Sequence, residues 1–464
     1  MNTQDTICAI ATAQGGAIGV IRISGKDAIA ITDRIFTPAG KHPLPLSERK
    51  AYTMAFGHIR QDDGEIIDEV LIGLFKSPHS YTGEDCVEIS CHGSSFILQQ
   101  VMQLLIRKGC SAAGPGEFTQ RAFLNGKMDL SQAEAVADLI ASSSAATHRM
   151  AMNQMRGGFS RELSALRERL LHLTSLMELE LDFSDHEELE FADRSELETI
   201  AGDIEKVING LVHSFSVGNV LKNGIPVAIV GETNAGKSTL LNTLLNEEKA
   251  IVSDIHGTTR DVIEDTVNLS GITFRFIDTA GIRDTHDTIE NMGIARSFHK
   301  MEQAEIVLWV VDNTCAEAQI RQLSPRILPL CSNKQLIILL NKSDQVSPVP
   351  TKLSGLPENT VTLSISAKEK TGIQELQNLL VKVASVPELT SSDLIVTNVR
   401  HYEALSLALE DIHRVQNGLQ THLSGDFISQ DLRECLFHLA EIVGGEITTD
   451  EVLGNIFKKF CIGK

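Results

Sequence analysis

The chain has 464 residues, 42% hydrophobic and 22% charged, an ordinary globular composition with room for a few domains of roughly 100–200 residues each. A net charge of −20 argues against a protein that grips nucleic acid through its own clustered Lys and Arg. Eight scattered cysteines without a CxxC pair, a start lacking the features of a signal peptide, and no apolar run of about 18 residues point to a reduced, cytoplasmic chain with no membrane span.

Residues 1–118 read as mixed α/β. GVIRIS, AYTMAFGHI, EVLIGLF and DCVEISC have strand length and pattern, and SFILQQVMQLLIRKG is helical up to Gly109. QGGAIG has the look of a dinucleotide fingerprint, but it precedes a strand instead of opening a helix. Cys86, Cys91 and His92 form one cluster with no second pair, which reads as core thiols on a strand and not as a metal site.

Residues 119–218 lose the strand signal. Phe159, Leu163, Leu166, Leu170, Leu173, Met177 and Leu181 recur at steps of three and four, which places them on one stripe of a long helix. Acidic HEELEFAD interrupts, and SELETIAGDIEKVINGLVHSF resumes a helix. Residues 219–382 change character: PVAIVG, TFRFIDTAG, EIVLWVVDN and QLIILLNKSD are continuous apolar runs separated by helical stretches. That is the pattern of a parallel sheet covered on both faces. Helical pattern returns over 383–464, so the economical arrangement is a helical domain in two chain segments with the sheet domain inserted between them.

The inserted domain carries the chemistry. Gly231 to Ser238 fits GxxxxGK[ST], after the strand VAIV and before the helix STLLNTLL. Its glycines let backbone N–H groups wrap phosphates at a helix N-terminus, Lys237 reaches the β- and γ-phosphates, and Ser238 offers a hydroxyl to Mg²⁺. Asp278, Thr279, Ala280 and Gly281 end the next apolar strand, where a carboxylate can hold the Mg²⁺ shell and a Gly N–H can meet the γ-phosphate. Asn341, Lys342, Ser343 and Asp344 follow LIILL. A carboxylate there accepts from N1–H and the 2-amino group of guanine, donors that adenine lacks. Ser366, Ala367 and Lys368 follow VTLSI and offer a backbone N–H to guanine O6. Asn234, Ala235, Gly236 and Thr239 lie in or next to the phosphate loop and join the predicted nucleotide contacts.

In this order the motifs resemble the small-GTPase superfamily, within the TrmE-Era-EngA-YihA-Septin-like branch. Ile282 stands where Ras-like enzymes place a water-orienting Gln, and an alkyl group cannot polarise water. With Asn234 and the switch SDIHGTTRD, this resembles GTPases that use K⁺ in place of an arginine finger, a device worth roughly 10³–10⁵ in rate. The resemblance implies K⁺ held by Asn234, Ser253, Ile255 and Thr258, Mg²⁺ held by Ser238 and Thr259, and Glu290 positioning water. It also adds Ser253, Thr258 and Thr259 to the nucleotide contacts. Glu290, Lys237 and Asn234 are thus the implied catalytic residues.

IRISG, YTGEDCVEISCHG, PGEFTQRAFLNGKMDLSQAEAVADLI, GTTRDV and the terminal FCIGK resemble the MnmE (TrmE) family of tRNA-modification GTPases over essentially the whole chain. The resemblance implies a multidomain α/β fold: an N-terminal folate-binding-like and dimerisation domain, a split α-helical domain, and an inserted Ras-like doubly wound G domain. It also implies a tetrahydrofolate derivative (5-formyl or 5,10-methylene) near Arg22, Glu88, Lys127 and Lys464. The implied assembly is a homodimer that joins the FAD-carrying protein MnmG (GidA) in a heterotetramer and modifies C5 of the wobble uridine of certain tRNAs. Cys461 matches a family cysteine that is either catalytic or a buried, inert thiol. Thr233 replaces a common Pro, and the N-terminal glycine-rich loop lacks a basic residue found in some relatives. The alternative is a ribosome-assembly GTPase of the Era group, which the acidic balance disfavours.

Overall fold

The computed structural model describes residues 5–13, 15–40, 44–182, 194–248, 265–277, 301–345, 356–357, 360–384, 394–445, 456–457, 460 and 462–463. They form two compact units. One comprises residues 1–141, 151–209 and 403–464; the other comprises 142–150 and 210–402.

The first unit opens with β1 (Ile7–Ile10), β2 (Ile18–Ser24), α1 (Ala28–Asp33), β3 (Phe36–Pro38), β4 (Thr53–Arg60), β5 (Ile66–Phe75) and β6 (Cys86–His92). It continues with α2 (Ser95–Arg107), β7 (Ser111–Ala112) and α3 (Glu117–Leu124). The strands make one seven-stranded sheet in the order β3-β4-β5-β6-β2-β1-β7, antiparallel except where β1 meets β7. Ile21, Ile23, Ile72, Leu74, Val87 and Ile89 alternate onto one face and bury with Leu98, Val101, Leu104 and Leu105 of α2. The opposite face of β2 and β6 therefore carries Arg22 and Glu88, which are register partners. Cys86 and Cys91 are buried thiols. Among the described residues no group of His, Cys, Asp and Glu could hold a metal ion.

The helices α4 (Leu130–Ala141), α5 (Ala145–Met155), α6 (Gly158–Asp182) and α7 (Arg194–Asn223) follow. On α6 the predicted stripe is buried from Phe159 to Met177, with Phe159 the most exposed at 4%. Burying these six side chains against neighbouring helices stabilises the bundle by roughly 1.5–3 kcal/mol each before entropy is counted. The segment HEELEFAD and the side chain of Leu181 lie outside the described residues.

In the second unit Gly224 (φ 75) ends α7 and turns the chain into the sheet. Its elements are β8 (Ile225–Val230), α8 (Lys237–Glu248), β9 (Asp265–Leu269), β10 (Ile272–Phe276), β11 (Ile306–Asp312) and α9 (Ala316–Ile327). Then come β12 (Gln335–Asn341), β13 (Val361–Ser364) and α10 (Ile373–Val383). Strand order is β13-β12-β11-β8-β10-β9. Val227, Ile229, Leu308, Val310, Ile337 and Leu339 bury on one face; Ala228, Val230, Trp309, Val311, Ile338 and Leu340 bury on the other. The central strands therefore read as unbroken apolar runs. The exception to the parallel pattern is β9, an edge strand antiparallel to β10. Ser270 (φ 52) and Gly271 (φ 85) join them in a two-residue turn with both φ values positive, the geometry that suits the twist of a hairpin.

The C-terminal helices of the first unit are α11 (Val399–Gln420, from Glu403 on) and α12 (Gly425–Val443). Helix α12 packs along α6, where Arg433 pairs with Glu178 at 2.8 Å. Beyond it, Ile462 bridges to Pro115, and a Cβ on Gly116 would lie 2.8 Å from Phe460 Cβ, so the chain's end is seated closely against the N-terminal sheet domain.

Candidate functional site: the phosphate and guanine loops

Strand β8 stops at Val230 because Gly231 takes φ 148 and lies under β11, where a Cβ would meet Val310 O at 2.2 Å. Asn234 (φ 62) and Gly236 (φ 100) carry the loop round before Lys237 opens α8. Lys237 Nζ donates to the Gly231 and Glu232 carbonyls at 2.8 and 2.7 Å, so its ammonium stands inside the loop. Ser238 and Thr239 follow on the first turn of α8, and Asn234 is exposed at the tip. A hydroxyl in that place is a hard oxygen donor that suits Mg²⁺, and the exposed Asn234 amide offers an oxygen of the kind K⁺ accepts.

Asn341 ends β12 and is 3% exposed. Its Nδ2 donates to Ala235 O at 2.8 Å, and its Oδ1 accepts from Ala367 N–H at 2.9 Å. One amide thus fastens the phosphate loop to the loop after β13. Gly236 is required here, since a Cβ would lie 2.1 Å from Asn341 Nδ2. Ser366 Oγ donates to Asp344 Oδ1 at 2.7 Å and holds that exposed carboxyl below the usual carboxylate range. Asp344 is an acceptor at neutral pH, as guanine reading demands. Lys368 is 80% exposed beside it.

Three side chains that motif reading passed over complete the frame. Asp312 ends β11, register partner of Asn341, and pairs with Lys342 Nζ at 2.5 Å. Burial would raise the Asp312 carboxyl, but bonds from Lys342 and Thr314 outweigh it and its pKa is lowered. Gln319 and Glu232 join this chain of contacts at 2.8 Å. The terminal Asp of WVVDN was visible in the sequence; Glu232 fills a variable position of the phosphate-loop motif, and Gln319 carried no motif.

Ser253, Ile255, Thr258, Thr259, Asp278, Thr279, Ala280, Gly281, Glu290, Cys461 and Lys464 lie outside the described residues.

In the N-terminal sheet domain, Arg22 Nε and Nη2 both donate to Glu88 Oε1, at 3.0 and 2.8 Å. The Arg22 guanidinium lies 5.4 Å from the Tyr81 ring centroid and 5.8 Å from that of Phe118, and its Nη1 donates to Gly463 O at 3.4 Å. Lys127 donates to Pro78 O at 3.0 Å, on the loop that carries Tyr81. Buried Arg121 anchors that loop through Glu84 at 3.3 Å and the Asp5 carbonyl at 2.8 Å. The Arg22–Glu88 pair thus lies on the sheet face with Tyr81 of the loop before β6 and fully buried Phe118 of α3 beside the guanidinium, a carboxylate and a cation of the kinds that can meet N–H groups and an acidic group.

Phosphate loop, lysine and guanine-reading acid on a doubly wound sheet define a P-loop guanine-nucleotide-binding protein of the Ras-like class. A family model described as "MnmE helical domain" matches residues 130–461, and one described as "GTP-binding protein TrmE N-terminus" matches 6–127. The protein named tRNA modification GTPase MnmE from Bacteroides thetaiotaomicron is 66% identical over 467 residues, 99% of this chain and 100% of that protein. The protein of the same name from Flavobacterium johnsoniae is 52% identical over 473 residues, covering 100% of each chain. A solved structure of Aquifex aeolicus Era bound to GDP and aluminium fluoride is 28% identical, covers 40% of this chain and 66% of that one, and has a TM-score of 0.27. The chain belongs to the MnmE family.

Proposed function

We propose that the chain is a tRNA-modification GTPase of the MnmE type, activated by K⁺. The observation that carries the reading is the Asn341 amide, which ties Ala235 of the phosphate loop to Ala367 at 2.8 and 2.9 Å beside a carboxylate set for guanine. Relatives that carry this name over their whole length support it. The match over 6–127 favours it over an Era-group reading.

In this reading the loop amides and Lys237 bind the β- and γ-phosphates, Asp344 reads guanine, and Glu290 orients the attacking water. Ser238 and Thr259 hold Mg²⁺; Asn234, Ser253, Ile255 and Thr258 hold K⁺. Bound there, the cations neutralise charge building between the β- and γ-phosphates. Residues 219–382 form the G domain, inserted between helical segments 119–218 and 383–464. Domain 1–118 dimerises and binds the folate: Glu88 accepts from its pterin N–H groups, while Arg22, Lys127 and Lys464 face its carboxylates. The folate supplies the one-carbon unit, and the FAD-dependent partner MnmG completes the modification of uridine C5.

The test is mass spectrometry of wobble-position nucleosides in cells lacking this protein. Loss of the C5 aminomethyl-type group, restored by the gene, is expected. An unchanged nucleoside profile refutes the tRNA role.

A further inference from the structure

The second residue of the phosphate loop is an acid, Glu232, in a loop whose ligand is a polyanion. A carboxylate there opposes the ligand unless something turns it aside. Gln319 Nε2 donates to Glu232 Oε2 at 2.8 Å, while Gln319 Oε1 accepts from the Asp312 N–H at 2.9 Å. These two bonds fix the amide's orientation: reversed, its NH₂ would face an N–H and its carbonyl would face a carboxylate. Gln319 is 7% exposed and rises from the first turn of α9, whose N-terminal amides favour a nearby negative charge. Asp312, the anchor of this bridge, is itself paired to Lys342.

We infer that Gln319 is a positioning residue that holds the Glu232 carboxylate away from the phosphates, so that a nucleoside triphosphate binds without like-charge repulsion. The inference rests on the GTP-binding reading above. Gln319 itself touches no phosphate. Without it, Glu232 is free to swing towards Lys237, whose Nζ already lies 2.7 Å from the Glu232 carbonyl oxygen. There the carboxylate neutralises the lysine and faces the terminal phosphate. GTP therefore suffers more than GDP.

The test is titration of the full-length protein with fluorescent GTP and GDP analogues. Q319A is expected to bind GTP about tenfold more weakly and GDP about threefold more weakly, the range of a partly exposed charge pair. Adding E232Q removes the unwanted charge and returns GTP affinity to within about twofold of wild type. If Gln319 served only to anchor α9, a charge change at residue 232 would rescue nothing. A second pair guards against misfolding of Q319A. Q319E puts two acids together and weakens GTP further, whereas Q319E/E232Q rebuilds the bond with its polarity reversed and binds as wild type. The inference is overturned by Q319A that binds GTP normally, or by double variants as weak as their Q319A and Q319E parents. Wild-type protein that binds neither nucleotide removes the GTP reading and this one with it; wild type that binds while the variants do not separate removes this one alone.

Discussion

Replacing Asn341 by Ala removes one side chain and strands two buried backbone groups, the Ala235 carbonyl and the Ala367 N–H. An unsatisfied buried polar group costs about 1–3 kcal/mol. Water can reach the Ala235 side of the loop more easily than the Ala367 side, because Thr233 and Asn234 are exposed whereas Ser366 and Ala367 are buried. Two such groups would cost about 2–6 kcal/mol, and with water reaching one of them the sum falls in the lower half, about 2–4 kcal/mol. For a unit of 150–250 residues this lowers Tm by roughly 4–16 °C. N341D separates the two bonds: it keeps an acceptor for Ala367 but turns an oxygen against Ala235 O. It should lose nucleotide affinity out of proportion to its loss of Tm. Differential scanning fluorimetry with and without GTP, paired with nucleotide titration, measures both. N341A that melts within a degree of wild type and binds GTP equally well would refute the bridge as the joint of the site.

Four further outcomes follow from the geometry. Asp344→Asn exchanges an acceptor for a donor and should shift preference from guanosine to xanthosine nucleotides; unchanged GTP affinity in a competition assay removes the guanine-reading role. On the K⁺ reading proposed above, GTP hydrolysis should be at least about tenfold faster in KCl than in NaCl at equal ionic strength, the cation doing the work of an arginine finger; equal rates sink the K⁺ assignment. Gly236→Ala should abolish tight binding, because its Cβ falls 2.1 Å from Asn341 Nδ2 at φ 100, and G236A/N341A should lose less than the sum of the two single variants. Asp411 is buried between α11 and α12, its carboxyl raised by burial with His438 and Arg414 only partly opposing, and its Oδ2 lacks a hydrogen bond. An acid raised in the fold stabilises it most when protonated and loses that contribution as pH rises through the folded pKa. The Tm of D411N minus that of wild type should therefore grow as pH rises above the ordinary carboxylate pKa of about 4; a difference independent of pH overturns this.

The parts legible in the sequence were those set by one residue and its spacing. The stripe from Phe159 to Met177 is buried because helical periodicity is written into the chain itself. Likewise β8, β11 and β12 are unbroken apolar runs because both sheet faces are covered. What stayed hidden depends on two residues meeting. The strand β1 is four residues long and identifiable only through its pairing with β2 and β7. The edge strand DTVNL has the composition of a loop and is a strand because β10 folds back on it. Gln319 and Glu232 are 87 positions apart, and no motif relates them; the register that sets Asp312 beside Asn341 brings the helix after β11 against the phosphate loop. The Arg22–Glu88 pair was legible only as two separate residues, and its aromatic flank from Tyr81 and Phe118 was not legible at all.

The side-chain bonds of the G domain form a continuous path. Glu232 is held by Gln319, Gln319 by the Asp312 N–H, and the Asp312 carboxylate by Lys342. Asn341, next to Lys342, returns to Ala235 in the phosphate loop and reaches Ala367, whose carbonyl also accepts from Thr243 of α8 at 3.1 Å. Ser366 then fixes Asp344. Asn341 and Ala367 at the centre of this path are buried, and Asp344 at its end is exposed, so the part shielded from solvent is the joint between the phosphate loop and the loop after β13. On the GTP-binding reading proposed above, a substitution confined to the loop that carries Asp344 is therefore expected to change phosphate affinity too, and by linkage the reverse.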